Sequence, residues 1–194
     1  MRKIMTFISV FCLALQLFGQ EQKLLILIDI QEFYFPGGAQ PLHEPEAAAE
    51  KAAQALSLFR EQGWPVVHIQ HEFGPGGHIH PLVAPVQDEI VITKKEVNAF
   101  AGTNLLEVLH SLGATELYFA GMQTHMCLEA AVRAAKDLGF SCTVLADACT
   151  TRKLQFDGVE VSAIQVHAST LATLNRTYAR VIRTADLLGE TEKK

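Results

Sequence analysis

Residues 117–138 read "LYFAGMQTHMCLEAAVRAAKDL", and the interpretation of this stretch decides the fold. With Glu116 before it, "ELYFA" is a short apolar run carrying aromatics, the pattern of a strand covered on both faces. Gly121 is expected to make a tight turn, and Thr124 to cap a helix whose third position is Cys127. Leu128, Ala131, Ala135 and Leu138 recur at helical spacing, and Gly139 stops the helix. A strand, a sharp turn and a nucleophile at a helix start form the layout of a nucleophile elbow. Free N–H groups and the positive end of the helix dipole favour thiolate over thiol there. The competing interpretation of Cys127 is plain packing, because free cysteine is among the most buried residue types.

Working outward, Lys23–Ile28 ("KLLILI") is a near-continuous apolar run that ends in Asp29, as a central parallel strand does. After the loop "QEFYFPGGAQPLH", Pro45 opens a helix that Gly63 stops. "WPVVHIQ" is the second strand, and the Gly/Pro/His-rich residues 71–87 form a loop long enough to carry function. "EIVIT" is the third strand and runs into Lys94 and Lys95; "GTNLLEVLHSLG" is a short helix with Thr103 as its cap. Beyond Gly139, "FSCTVLA" is a fifth strand. Asp157 and Glu160 suggest a capping box for a helix reaching Leu174, "YARVIR" is a sixth strand, and "TADLLG" a closing turn. Strands alternating with helices predict one α/β domain. It has three α/β/α layers around an open six-stranded parallel sheet, Rossmann-like in class.

The chain of 194 residues suffices for a single domain with a sizeable core. It opens with "MRKIM", an apolar run from Thr6 to Phe18, and "GQEQK". This reads as a secretory signal peptide over residues 1–20 ahead of a domain over 21–194, hence an exported, periplasmic or secreted protein. An uncleaved anchor or a mis-assigned start is the alternative. Phe11 before Cys12 argues against lipidation. Loss of Arg2 and Lys3 leaves 14 basic against 21 acidic residues, a net charge of −7. With no basic run, nucleic acid and anionic membrane are disfavoured as partners. Cys127, Cys142 and Cys149 then remain, an odd count that leaves at least one free thiol, and no disulfide framework is read.

Asp29, Lys94 and Cys127 each follow a predicted strand directly. In a doubly wound sheet all carboxyl ends share one edge, so topology alone gathers the three. Individually, Asp29 could cap a turn and Lys94 could be a solvated loop lysine. Together they suit covalent catalysis: a thiol of pKa ~8.5 is only about 3% ionised at pH 7, and a nearby ammonium favours its thiolate. Asp29 could accept the thiol proton and later activate water. The loop after the first strand lacks the glycine fingerprint that pyrophosphate binding needs, which sets nucleotide binding aside.

These motifs together resemble the isochorismatase-like cysteine hydrolase superfamily, from Leu24 to Leu188. "LIDIQEFYFPGG" is similar to the family's first-strand motif, matching Asp29 and Gln31; "ITKKEVNAFAGTNL" resembles the segment of the family lysine and selects Lys94 over Lys95. "AGMQTHMC" is similar to the cis-peptide and nucleophile motif, and "DACTTR" and "VSAIQVHASTLATL" match as well. The resemblance implies the isochorismatase-like hydrolase fold, no cofactor, and hydrolysis of a C–N bond in a small amide or lactam through a thioester on Cys127. Asp29 would be acid/base and Lys94 would hold the thiolate. A cis bond at Met122–Gln123 would place the backbone N–H groups of Gln123 and Cys127 as an oxyanion hole. Gln31, Phe35 and His71 are candidate substrate-binding residues, and a homo-oligomer is expected. The nicotinamidase branch carries an Asp-x-His metal motif where this chain has His71 and Phe73, which argues against metal. His68, His71, His78 and His80 match no strong ligand template, and His71, His78 and His80 read as solvated or pocket-mouth residues. His125 reads as a surface or interface residue. "GMQTHMC" looks closest to a branch that includes streptothricin hydrolase-like lactamases. A thiol redox sensor or a small-molecule binding protein on the same fold is the alternative function.

Overall fold

The computed structural model describes residues 22–86 and 88–191, so the predicted leader lies outside the described residues. Six parallel strands form the sheet: β1 (Lys23–Ile28), β2 (Val66–His71), β3 (Ile90–Lys94), β4 (Glu116–Met122), β5 (Ser141–Thr150) and β8 (Arg180–Ile182). Their order is β3-β2-β1-β4-β5-β8. The chain therefore starts in the middle, builds one half of the sheet, then crosses to build the other. The strand order reverses beside β1, where an open α/β sheet forms its crevice.

β1 is the spine because it is buried on both faces. Leu24, Ile26 and Ile28 face one core, Leu25 and Leu27 the other, all at 0–2% exposure. Burying each of these side chains contributes roughly 1.5–3 kcal/mol, which is why the run tolerates no polar residue until Asp29. Helices α2 (Leu105–Ser111), α3 (Glu129–Asp137) and α4 (Ala163–Leu174) cover the first face through Leu105, Leu109, Ala131, Val132 and Leu174. Helices α1 (Pro45–Glu61) and α5 (Thr184–Thr191) cover the second through Ala52, Leu56, Phe59 and Leu187. The predicted three-layer α/β/α architecture stands.

Several local expectations are corrected. Gly121 does not turn; it is a strand residue at φ +133°, and a Cβ there would lie 2.0 Å from the Ile28 carbonyl oxygen. Its role is to let β4 close on the end of β1. The predicted capping box at Asp157 is absent: Asp157 and Gly158, at φ +47° and +76°, form the turn of a hairpin between β6 (Leu154–Phe156) and β7 (Val159–Val161). Asp-Gly is a strong two-residue hairpin signal, and it outweighs the Asp-x-x-Glu pattern. The box belongs to Ser162 and Gln165, which cap α4. Leu138 is 45% exposed instead of facing the core, and "TADLLG" opens helix α5 where a turn was expected. Thr103 does serve the start of α2, its hydroxyl accepting from the Leu105 N–H at 3.2 Å.

Candidate active site

Asp29 leaves β1 at φ +50°, a left-handed conformation that Asp tolerates better than most residues and that recurs at functional sites. This bend turns the carboxylate out of the strand ladder and into the crevice. Lys94 ends β3, two strands away, a separation of roughly 9–10 Å at ordinary strand spacing. Only a long side chain crosses it. Lys94 reaches over β2, and its Nζ lies 2.8 Å from Asp29 Oδ2, with both side chains fully buried. The same ammonium donates to Cys127 Sγ at 3.3 Å and lies 3.1 Å from His71 Nδ1. A carboxylate, a thiol and an imidazole thus surround one ammonium. Lys95, by contrast, is exposed and pairs with Glu72 on the surface.

The segment carrying Cys127 differs from the expected helix start. The Met122–Gln123 peptide bond is cis. Gln123, not Thr124, is the cap residue, and Thr124–Leu128 form one π-helical turn that continues into α3. The Gln123 carbonyl accepts the N–H groups of Met126 and Leu128, at 3.0 and 3.3 Å. Thr124 is drawn away from capping by His167, whose Nδ1 lies 2.9 Å from its hydroxyl. A π turn inside a helix is a recurrent feature of functional sites. His125, expected at the surface or an interface, is half-buried and bonds the Thr151 hydroxyl, tying this turn to the end of β5.

Electrostatics also correct an expectation. Burial, reinforced by the Asp29 charge, pushes the Cys127 thiol up to about 12, and Lys94 only partly opposes it. Burial thus works against the thiolate that the helix start and Lys94 favour. Burial likewise raises Asp29 above the ordinary carboxylate range despite Lys94 and a hydrogen bond from Cys127. Neither carboxylate oxygen receives a well-directed hydrogen bond, so the ion pair is held mainly by charge. A desolvated carboxylate of this kind is a stronger base than usual, and it sits against the proton it would remove.

A cavity of about 350 Å³ opens beside the sulfur. Cys127, His71 and Gln123 line it, together with an aromatic wall of Phe33, Tyr34 and Phe73; Phe33 stacks on Phe73 with ring centroids 4.2 Å apart. Arg152 and Lys95 bring positive charge to the cavity, and no carboxylate is among its lining residues. The sequence reading missed Tyr34, Phe73 and Arg152 as site residues, although Arg152 ends the quoted "DACTTR".

Two of the three predicted substrate-binding residues lie elsewhere. The Gln31 amide is fully used by backbone: Nε2 donates to the carbonyls of His71 and Gly77, at 3.0 and 2.6 Å, and Oε1 accepts the His71 N–H at 2.8 Å. It clasps the 71–87 loop to the end of β1. Phe35 is buried and stacks on His80, with centroids 3.8 Å apart. His71 alone reaches the cavity. The other histidines do not gather: His68, in β2, is buried against Glu89, and His80 accepts the Leu82 N–H. Among the described residues no cluster of His, Cys, Asp or Glu is arranged to hold a metal ion. Cys142 and Cys149 are buried free thiols away from this cavity.

With this geometry in view, the likenesses to known proteins are consistent. Residues 23–186 match the family model of the isochorismatase domain. The chain is 43% identical over 175 residues to the isochorismatase family protein YddQ of Bacillus subtilis, covering 84% of this chain and 97% of that protein. It is 32% identical over 154 residues to the maleamate amidohydrolase of Pseudomonas putida, covering 66% of this chain and 71% of the relative. The crystal structure of an isochorismatase from Pseudomonas putida superposes with a TM-score of 0.82 at 33% identity, covering 91% of this chain and 96% of that one. A sheet, a crevice and a sequence this alike leave one assignment: the chain belongs to the isochorismatase family of hydrolases.

Proposed function

We propose that the protein is a cysteine amidohydrolase acting on a C–N bond of a small amide or lactam. What supports this reading is the convergence of three side chains from three strand ends, with Lys94 Nζ 2.8 Å from Asp29 Oδ2 and 3.3 Å from Cys127 Sγ. As the Cys127 sulfur attacks the substrate carbonyl, its proton passes to Asp29 and the oxyanion is held by the backbone N–H groups of Gln123 and Cys127. Lys94 stabilises the negative charge as it moves between sulfur and carboxylate. Asp29 then returns the proton to the departing amine, the C–N bond breaks, and a thioester remains. Water, deprotonated by Asp29, attacks that thioester; the C–S bond breaks, the carboxylic acid leaves and Cys127 regains its proton. The sum is amide plus water giving acid plus amine.

A thiol redox sensor fits this site less well, since sensor cysteines have low pKa values and open access, whereas Cys127 is 5% exposed and its thiol is pushed up to about 12. The positive charge of Arg152, with no carboxylate in the lining, suits a substrate that carries negative charge. The test is intact-protein mass spectrometry against a library of small amides and lactams. A covalent acyl adduct mapped to Cys127, and turnover that vanishes in Cys127→Ala, is the expected result. Full turnover by Cys127→Ala on a responsive amide would overturn the mechanism.

A further inference from the structure

His71 ends β2 directly beside Lys94, its register partner on β3. Nearly every polar atom it carries is committed. Its backbone N–H donates to Gln31 Oε1 at 2.8 Å, and its carbonyl accepts Gln31 Nε2 at 3.0 Å. Its ring Nδ1 lies 3.1 Å from Lys94 Nζ. An ammonium has only protons to offer, so Nδ1 is the bare nitrogen of the ring and accepts. A neutral imidazole with a bare Nδ1 carries its one proton on Nε2. The contact with Lys94 therefore fixes the tautomer, and the Gln31 clasp fixes the backbone from which the ring projects.

Nε2 is the atom left over. The unpaired side-chain nitrogens and oxygens that are sealed from solvent belong to Asp29, His68 and Gln123. His71 Nε2 has no partner among the described residues either, yet it is open, on a half-buried ring that lines the cavity with Cys127. We propose that His71 is a specificity-determining residue whose Nε2–H donates to an oxygen acceptor on the acyl part of the substrate, beyond the scissile carbonyl. Preferred substrates are then amides whose acyl chain carries a carbonyl or carboxylate oxygen, against amides of plain alkyl acids. The inference rests on Cys127 being the acyl acceptor. Imidazole and sulfur share one ammonium, so the part of the substrate bonded to the sulfur is the part nearest the ring. The same ammonium polarises the imidazole and makes Nε2–H a stronger donor than in a free histidine.

Alkylation of Cys127 in the full-length protein by iodoacetamide and by allyl iodide tests the idea without a known substrate. Sulfur displaces iodide from the CH₂ group in each case, a C–S bond replaces C–I, and the thiol proton passes to Asp29 and then to solvent. The CH₂ takes the acyl carbon's place, and only iodoacetamide carries an oxygen beyond it. Each rate is divided by that of glutathione with the same reagent, and peptide mapping locates the adduct. His71→Asn offers Lys94 an acceptor at the place of Nδ1 but no donor at that of Nε2. It should lower the iodoacetamide-to-allyl ratio about tenfold, the worth of one hydrogen bond. His71→Gln, whose longer amide brings an N–H to the place of Nε2, should recover part of that ratio. In wild-type protein labelled with ¹⁵N-histidine, the ring signals lost in His71→Asn should report a proton on Nε2 and none on Nδ1 at neutral pH. This spectrum tests the tautomer even where a variant fails to fold. An unchanged ratio in His71→Asn, an equal fall in both rates, no recovery in His71→Gln, or a proton on Nδ1 would overturn the proposal and leave the cysteine mechanism standing. Absence of any adduct on Cys127 in the native wild type would overturn both.

Discussion

Two clusters in this molecule are made from the same ingredients and end in opposite electrostatic states. In the active site, Asp29 meets Lys94 and Cys127; beside β2 and β3, Glu89 meets Arg60 and His68. Glu89 accepts Arg60 Nε and a second guanidinium nitrogen at 2.7 Å each, His68 Nε2 at 2.9 Å and the Val86 N–H at 3.0 Å. Burial pulls its carboxyl up, but these donors outweigh burial and hold it at about 2. Asp29 has one cation, no well-directed donor and complete burial, and it is raised. A carboxylate satisfied by several donors is inert and serves the fold. One left under-satisfied in a dry site keeps its appetite for a proton, and that is what acid/base chemistry requires.

Removing each carboxylate's charge is the sharpest way to break the comparison. Asp29→Asn should lower kcat/KM on a responsive amide by about 10²–10⁴-fold, the usual worth of a positioned base, measured on the protein that remains folded, since the buried Lys94 ammonium then lacks its counter-charge. Glu89→Gln should do the reverse. It should leave Cys127 alkylation unchanged while costing about 2–3 kcal/mol of stability, because Arg60 and His68 lose a charged acceptor. Equal effects of the two variants on both readouts would erase the distinction.

Acid titration separates the clusters further. Glu89 has a folded pKa of about 2 against an unfolded value near 4.5, so its stabilisation is present above pH ~4.5 and lost as pH falls towards 2. Burial lowers His68, so its protonation as pH falls works against the fold in the same direction. Under the proposed mechanism Asp29 acts on rate instead: cleavage would need the ionised carboxylate, so activity should fall as pH drops through a value above the ordinary ~3.9. A profile flat down to pH 4 with the fold intact would remove Asp29 as the base. The smallest expected effect is at the cavity mouth. Arg152→Ala should raise KM for a carboxylate-bearing amide about tenfold and leave that for a neutral amide unchanged, measured by steady-state kinetics.

Much of this was legible in the chain because the central strands are locally unambiguous. "KLLILI" has no reading but a doubly buried strand, and a charged residue directly after it had to lie at the sheet's edge. The same logic placed Lys94 and Cys127 on that edge, since parallel topology needs no side-chain detail. Local rules failed where two patterns competed. Asp157 and Glu160 carry a capping-box pattern, yet Asp157-Gly158 is a hairpin turn, and Thr124, a good cap residue, instead bonds His167, 43 positions away.

The sequence by itself determined the layers of the fold and which three side chains could meet, because hydrophobic period and strand-end position are properties of the local chain. Only the tertiary structure decided their protonation, because burial and donor count depend on what packs around each group. That is why burial and the Asp29 charge push the Cys127 thiol up, against the helix dipole that favours its thiolate. It is also why Gln31 became a backbone clasp while Tyr34, Phe73 and Arg152 line the cavity, since a motif does not say where its side chains point.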